Sequence, residues 1–201
     1  MRIFFILITF FIFFSKNLYA DEASNWLKKE IDIILESYKN KNISNEKRFL
    51  LIENTVNYNF AGAGIAKFVS GDAWSAAKKD IKKEYIKLFK RHLALSIASM
   101  MQGYFNQQYE LVNTTYDSKN KVSLINMEIF NDIGILVITW RVKQSKERFY
   151  VIDLLVADIS LVVTKRSEFN SMLKNVNYNL KELNVLLEKQ NNESYIKLID
   201  F

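Results

Sequence analysis

Leu136-Val137-Ile138-Thr139-Trp140-Arg141-Val142-Lys143 places Leu136, Ile138, Trp140 and Val142 on alternate positions, with Val137, Thr139, Arg141 and Lys143 between them. A period of two in a stretch rich in β-branched residues describes a strand with one face on a core and the other toward water. The period extends both ways. From about Arg148 to Val156 it puts Tyr150, Ile152, Leu154 and Val156 on one face, and Val151, Asp153 and Leu155 on the other. Upstream it reaches back to Tyr109, with turn-like breaks at Asp117-Ser118-Lys119-Asn120, Asn131-Asp132 and Ser145-Lys146-Glu147. Four strands in series with short connections predict an antiparallel meander.

Outside this block the period is 3.6. Leu27, Ile31, Ile34, Leu35 and Tyr38 form one helical stripe that ends near Asn40-Lys41-Asn42. Ser44 is placed to cap a second helix carrying Phe49, Ile52 and Val56. A third is predicted from about Phe60 to Val69, stopped at Ser70-Gly71. The fourth and longest carries Ile81, Tyr85, Leu88, Phe89, His92, Leu93, Ile97 and Met100. Two more follow the strands, from about Ile159 to Val176 and from about Leu180 to Gln190. Four helices, four strands and two helices give an α+β layout, with helices packed on a twisted antiparallel sheet.

The N-terminus has its own logic. Met1-Arg2 precede an apolar run from Ile3 to Phe14, interrupted only by Thr9, and then Ser15-Lys16-Asn17-Leu18-Tyr19-Ala20. This is the layout of a secretory signal peptide, with cleavage expected after Ala20. The run reaches roughly 18 Å against a hydrocarbon core of about 30 Å, too short to span comfortably. Residues 1–20 are therefore expected to be removed and residues 21–201 to form a single domain, which is large enough for a real core.

Composition narrows the chemistry. The net charge is +6, part of it on Arg2 and Lys16 in the export segment, well short of a nucleic-acid binder's basic footprint. With no cysteine and one histidine, the usual zinc ligand sets and thiol nucleophiles are missing. No cofactor or metal is expected.

Two stretches carry a family resemblance. The first is Phe60-Ala61-Gly62-Ala63-Gly64-Ile65-Ala66-Lys67-Phe68-Val69-Ser70-Gly71-Asp72-Ala73-Trp74, continuing to Tyr85, Phe89 and Leu93. The second, more specific, is Trp140-Arg141 followed by Tyr150-Val151-Ile152-Asp153-Leu154-Leu155-Val156-Ala157-Asp158-Ile159-Ser160-Leu161 and the run through Arg166-Ser167-Glu168-Phe169. Both resemble the MlaC family of periplasmic phospholipid carriers, also called toluene-tolerance or auxiliary transport proteins. The chain departs from the family pattern at Ala157-Asp158, where Glu-Gly is usual, and at Lys78-Lys79, where Thr-Pro is frequent.

The resemblance implies a four-stranded sheet and helices packed around an apolar cavity for acyl tails, with the head group at the mouth. It also implies a periplasmic, monomeric carrier that shuttles phospholipid between an inner-membrane ABC transporter complex and an outer-membrane complex and so serves outer-membrane asymmetry. The sheet offers Ile138, Trp140, Ile152 and Leu154 to such a cavity; the helices offer Ile65, Phe68, Val69, Tyr85, Phe89, Leu93 and Ile97. Trp74, Leu161 and Phe169 complete the expected lipid-binding set. A filled core would use the same side chains, and periodicity does not separate the two. Met100 and Met101 suit a wall that repacks around varied chains, or simply a gap in a core.

Lys79, Lys83, Lys87 and Lys90 lie on the side of the long helix away from its apolar stripe. They suit a solvated face or a docking patch for acidic partner surfaces, with Lys83 and Lys87, together with Arg141 and Arg166, as expected docking residues. For Asp153, Arg141 and Arg166 an ion pair or helix-terminus contact is the competing role. Rival cargo is a hopanoid or other polycyclic lipid. The rival class is a small enzyme on a cone-shaped α+β fold, with Asp153 and His92 as its candidate groups, neither having a recognisable catalytic partner. A structural or chaperone-like role with an exposed apolar groove is the third reading.

Overall fold

The alternation read around Trp140 becomes the centre of one antiparallel sheet in the computed structural model, which describes residues 22–104, 107–132 and 134–200. The export segment and its cleavage point lie outside the described residues. Strands β1 (Gln108–Asp117), β2 (Val122–Asn131), β3 (Gly134–Ser145), β4 (Arg148–Val156) and β5 (Ile159–Ser160) pair in chain order as an unbroken meander. The fifth strand is only two residues long and was not expected. It forms because Ala157 and Asp158 both take positive φ, 47° and 64°, turning the chain so that Ile159 pairs with Val156. Two consecutive left-handed residues are the geometry of a tight hairpin turn.

Two bulges change the faces of the sheet. In β1 the pairing steps from Leu111–Met127 to Asn113–Asn126, leaving Val112 as the extra residue. In β4 it steps from Asp153–Arg141 to Val151–Val142, so Ile152 is the extra residue. An extra residue reverses which side chains face inward beyond it, because the side-chain period is two.

The helices follow from their stripes. Residues 22–39 are helical (α1), then come α2 (Asn45–Asn59), α3 (Gly62–Ser70), α4 (Asp72–Ala76) and α5 (Lys79–Met101) before the sheet, and α6 (Leu161–Asn175) and α7 (Leu180–Ile199) after it. Ser44 caps α2 by accepting the Lys47 amide, as its position predicts. Gly71, at φ 54°, makes the break between α3 and the short, unanticipated α4.

Helix α7 runs a further nine residues beyond the expected end at Gln190. Its polar stretch Asn191-Asn192-Glu193-Ser194 reads as a terminus. In the fold, however, Asn191 is 1% exposed and its amide donates to the Leu88 carbonyl (2.9 Å), while Asn184 donates likewise to Ile81 (3.1 Å). Both amides pin α7 to the backbone of α5.

Helices α3, α5, α6 and α7 pack on one another. Tyr85, Phe89 and Phe169, each fully buried, form their centre, with ring centroids 5.3–6.2 Å apart in tilted and edge-on contacts. Burial pushes the Tyr85 phenol far above its ordinary range. Helix α2 packs on α5 and α7 as well, and its other face, with α1 and the end of α5, lines the space over the sheet.

Candidate functional site: an apolar cavity between α1, α2 and the sheet

A cavity of about 350 Å3 separates α1 and α2 from the concave face of the sheet. The volume lies within the roughly 300–1,000 Å3 typical of small-molecule sites. Register explains the sheet wall. Tyr109, Ile129 and Leu136 form one cross-strand row, Met127, Ile138 and Val156 the next, and Trp140 and Leu154 a third. Past the β4 bulge the wall continues with Val151. Opposite stand Trp26, Leu27, Ile31, Ile34 and Leu35 of α1 and Ile52 and Val56 of α2, with Phe60 beyond. Ile97, Met100 and Met101 at the end of α5 close one side.

Four of the expected lipid-binding residues are brought to this cavity: Ile97, Ile138, Trp140 and Leu154. Ile65, Val69, Tyr85, Phe89, Leu93 and Phe169 are placed in the buried helical core instead, and Trp74 and Leu161 pack against that core partly buried. Phe68 is 45% exposed on the other side of α3. Ile152 is the bulge residue, outside the cavity lining. The reason is geometric. The N-terminal part of the α5 stripe packs on helices, and only its last turns reach the sheet. The missed wall, from α1 and α2, was visible as two amphipathic stripes, but a stripe says only that a face is covered, not by what.

The four expected docking residues are also scattered. Arg141 lies 3.5 Å from the Asp153 carboxylate. Arg166 donates to the Phe68 carbonyl (2.6 Å) and stacks 4.4 Å from its ring, tying α6 to α3. Lys87 sits 3.6 Å from Glu84, and Lys83 is exposed. Lys90 is drawn off the same face: its stem crosses Gly62, where a Cβ would meet it at 2.5 Å, and it donates to the Asn57 carbonyl.

Asp153 is 4% exposed and fully used in the joint between sheet and helix. It accepts from the Leu154 amide (2.9 Å), the Val162 amide (3.1 Å) and the Ser160 hydroxyl (2.7 Å), and Ser160 in turn caps α6 at Val163. His92 contacts Glu168 (3.3 Å), Lys165 (3.2 Å) and the Phe169 ring. The hydrogen bond from His92, helped by Lys165, holds the Glu168 carboxyl down at about 2. Neither Asp153 nor His92 lines the apolar cavity. His92 borders a separate, more polar groove of about 330 Å3 between α5 and α7. Among the described residues no group of three His, Cys, Asp or Glu side chains is placed to hold a metal ion.

Tyr104, Gln107 and Asn131 bring polar atoms to the cavity lining, and hydrogen-bonded carboxylates stand at two further places. Near β1, the Tyr109 hydroxyl donates to Asp32 (2.5 Å), which also accepts from Lys28 (2.7 Å). These bonds, Lys28 first, keep the Asp32 carboxyl below its usual range, and burial raises the Tyr109 phenol. At the α1–α2 seam, the Asn59 amide donates to Glu30 (2.6 Å), with Thr55 alongside in the wall.

Fold and site together define an α+β domain in which a curved meander and two helices enclose an apolar cavity. The family model described as MlaC protein matches residues 28–189, and the chain belongs to that family. Among solved structures, a phospholipid-binding protein from Ralstonia solanacearum in complex with a phospholipid is similar at a TM-score of 0.74. It is 17% identical, and the match covers 88% of this chain and 98% of that one, a likeness that speaks for the fold. Comparison with curated proteins gives no match.

Proposed function

We propose that this chain is a periplasmic phospholipid carrier, which holds acyl tails in the cavity between α1, α2 and the sheet and performs no chemistry on them. The observation that carries the reading is the wall itself: a cavity of about 350 Å3 lined almost throughout by aliphatic and aromatic side chains. A diacyl lipid leaving a bilayer exposes something like thirty methylenes at about 0.8 kcal/mol each, so a carrier must offer an equally dry surface. Family membership and the fold shared with a phospholipid-binding protein support the cargo. No helix among the described residues is long and apolar enough to cross a membrane, which suits a shuttle between membrane complexes.

Lipid extraction followed by mass spectrometry tests the proposal. About one phospholipid per chain is expected after purification from a Gram-negative periplasm. A polycyclic lipid in its place would reassign the cargo, and a lipid-free protein that takes up none from vesicles would overturn the carrier reading. Docking to an inner-membrane ABC transporter complex and an outer-membrane complex belongs to the same proposal, with exposed Lys83 and its neighbour Lys87 meeting acidic partner surfaces. Charge reversal at both positions is expected to weaken complex formation without changing lipid load.

A further inference from the structure

The seam between α1 and α2 contains a polar notch in a mostly apolar wall, and Glu30 is the one carboxylate among the described lining residues. Helix α1 turns Trp26, Leu27, Ile31, Ile34 and Leu35 to the cavity, yet Glu30 stands in the same stripe, four residues after Trp26 and four before Ile34. Across the seam α2 presents Ile52, Thr55, Val56 and Asn59, and the Asn59 amide reaches Glu30. All three polar side chains are half-buried. A partly desolvated carboxylate costs free energy unless it is paired, and Glu30 has one hydrogen-bond partner among the described residues, the neutral amide of Asn59 at 2.6 Å. No ion pair reaches it there. The notch thus offers a negative charge and acceptor oxygens.

The rest of the wall sharpens its complement. No Lys, Arg or His is among the described residues that line the cavity, so the wall offers a lipid phosphate no cation. A primary ammonium beside that phosphate supplies both the charge and the N–H donors that Glu30, Thr55 and Asn59 accept. We infer that this notch receives the ammonium of an ethanolamine-type head group, making the carrier selective for zwitterionic over purely anionic phospholipid. The inference rests on the carrier reading above.

The test loads wild-type protein and Glu30→Gln from vesicles containing equal amounts of ethanolamine-type and glycerol-type phospholipid, then extracts and weighs the bound lipids. Wild type is expected to be enriched in the ethanolamine type. Glu30→Gln, nearly the same shape without the charge, is expected to lose about threefold to fivefold of that enrichment, the order of a half-exposed ion pair, with the lipid load per chain retained. An equal ratio in both proteins at full load overturns head-group selection and leaves the carrier reading intact. Absence of lipid from wild type itself overturns both.

Discussion

Ile138 and Phe89 are both large apolar residues on regular stripes, and their environments assign them opposite consequences. Ile138 faces empty space in the middle of the sheet wall, so Ile138→Trp is expected to fill the cavity and cut lipid per chain severalfold, measured by extraction, while the fold is kept. Phe89 is fully enclosed by Tyr85 and Phe169. Its truncation to alanine is expected to cost about 3–5 kcal/mol in urea unfolding, the usual price of a large core void, because its neighbours close in only partly. Glu168 makes a prediction in pH. Its carboxyl is held at about 2 in the fold against an ordinary 4.5, so its contribution is complete above about 4.5 and is lost as pH falls toward 2. The side chain is 40% exposed, and solvent screening reduces the effect to about 1 kcal/mol. Urea midpoints measured across that interval are expected to fall less steeply in Glu168→Gln than in wild type.

Among the elements, the joint from β4 through β5 to α6 concentrates the most specific chemistry. The stretch from Tyr150 to Phe169 was legible as a strand followed by a helix because its period changes from two to 3.6. Two features within it were not legible. The bulge at Ile152 leaves no mark in composition: the alternation Tyr150, Ile152, Leu154 looks unbroken, and only cross-strand pairing shows that Val151 and Leu154 share the cavity face. The hairpin at Ala157-Asp158 is hidden for a different reason, since alanine does not favour the left-handed backbone it adopts and aspartate takes it less readily than glycine. That backbone costs roughly 1–2 kcal/mol for a residue with a Cβ. Ala157→Asn with Asp158→Gly, the pair preferred in such turns, is expected to recover about 1 kcal/mol and raise Tm by about 2–4 °C in calorimetry. The end of α7 is a third case: Asn191 reads as a helix stop until its buried bond to the Leu88 carbonyl is seen.

Taken as a whole, the molecule divides its apolar material between a dense helical core and an open cavity. A chain without cysteine has to hold that cavity open by packing elsewhere, and α3, α5, α6 and α7 supply it. An unfilled apolar cavity forfeits dispersion contacts, so filling it with lipid stabilises the folded state by mass action. Lipid-loaded protein is expected to melt about 5–10 °C above protein stripped of lipid when free lipid exceeds Kd a hundredfold, with reloading restoring the difference. Sequence alone determined the α+β class, the order of the elements, the meander and the family, because periodicity, caps and the run from Trp140 to Phe169 are local properties of the chain. It also placed Ile97, Ile138, Trp140 and Leu154 on faces that the cavity uses. Tertiary structure decided which stripes meet each other and which meet empty space. It moved Tyr85, Phe89 and Phe169 into the core and brought α1 and α2, with Glu30 and Asn59, to the cavity wall. The physical reason is that a buried face carries the same apolar pattern whether its partner is another side chain or a void, and only the packing of distant segments distinguishes the two.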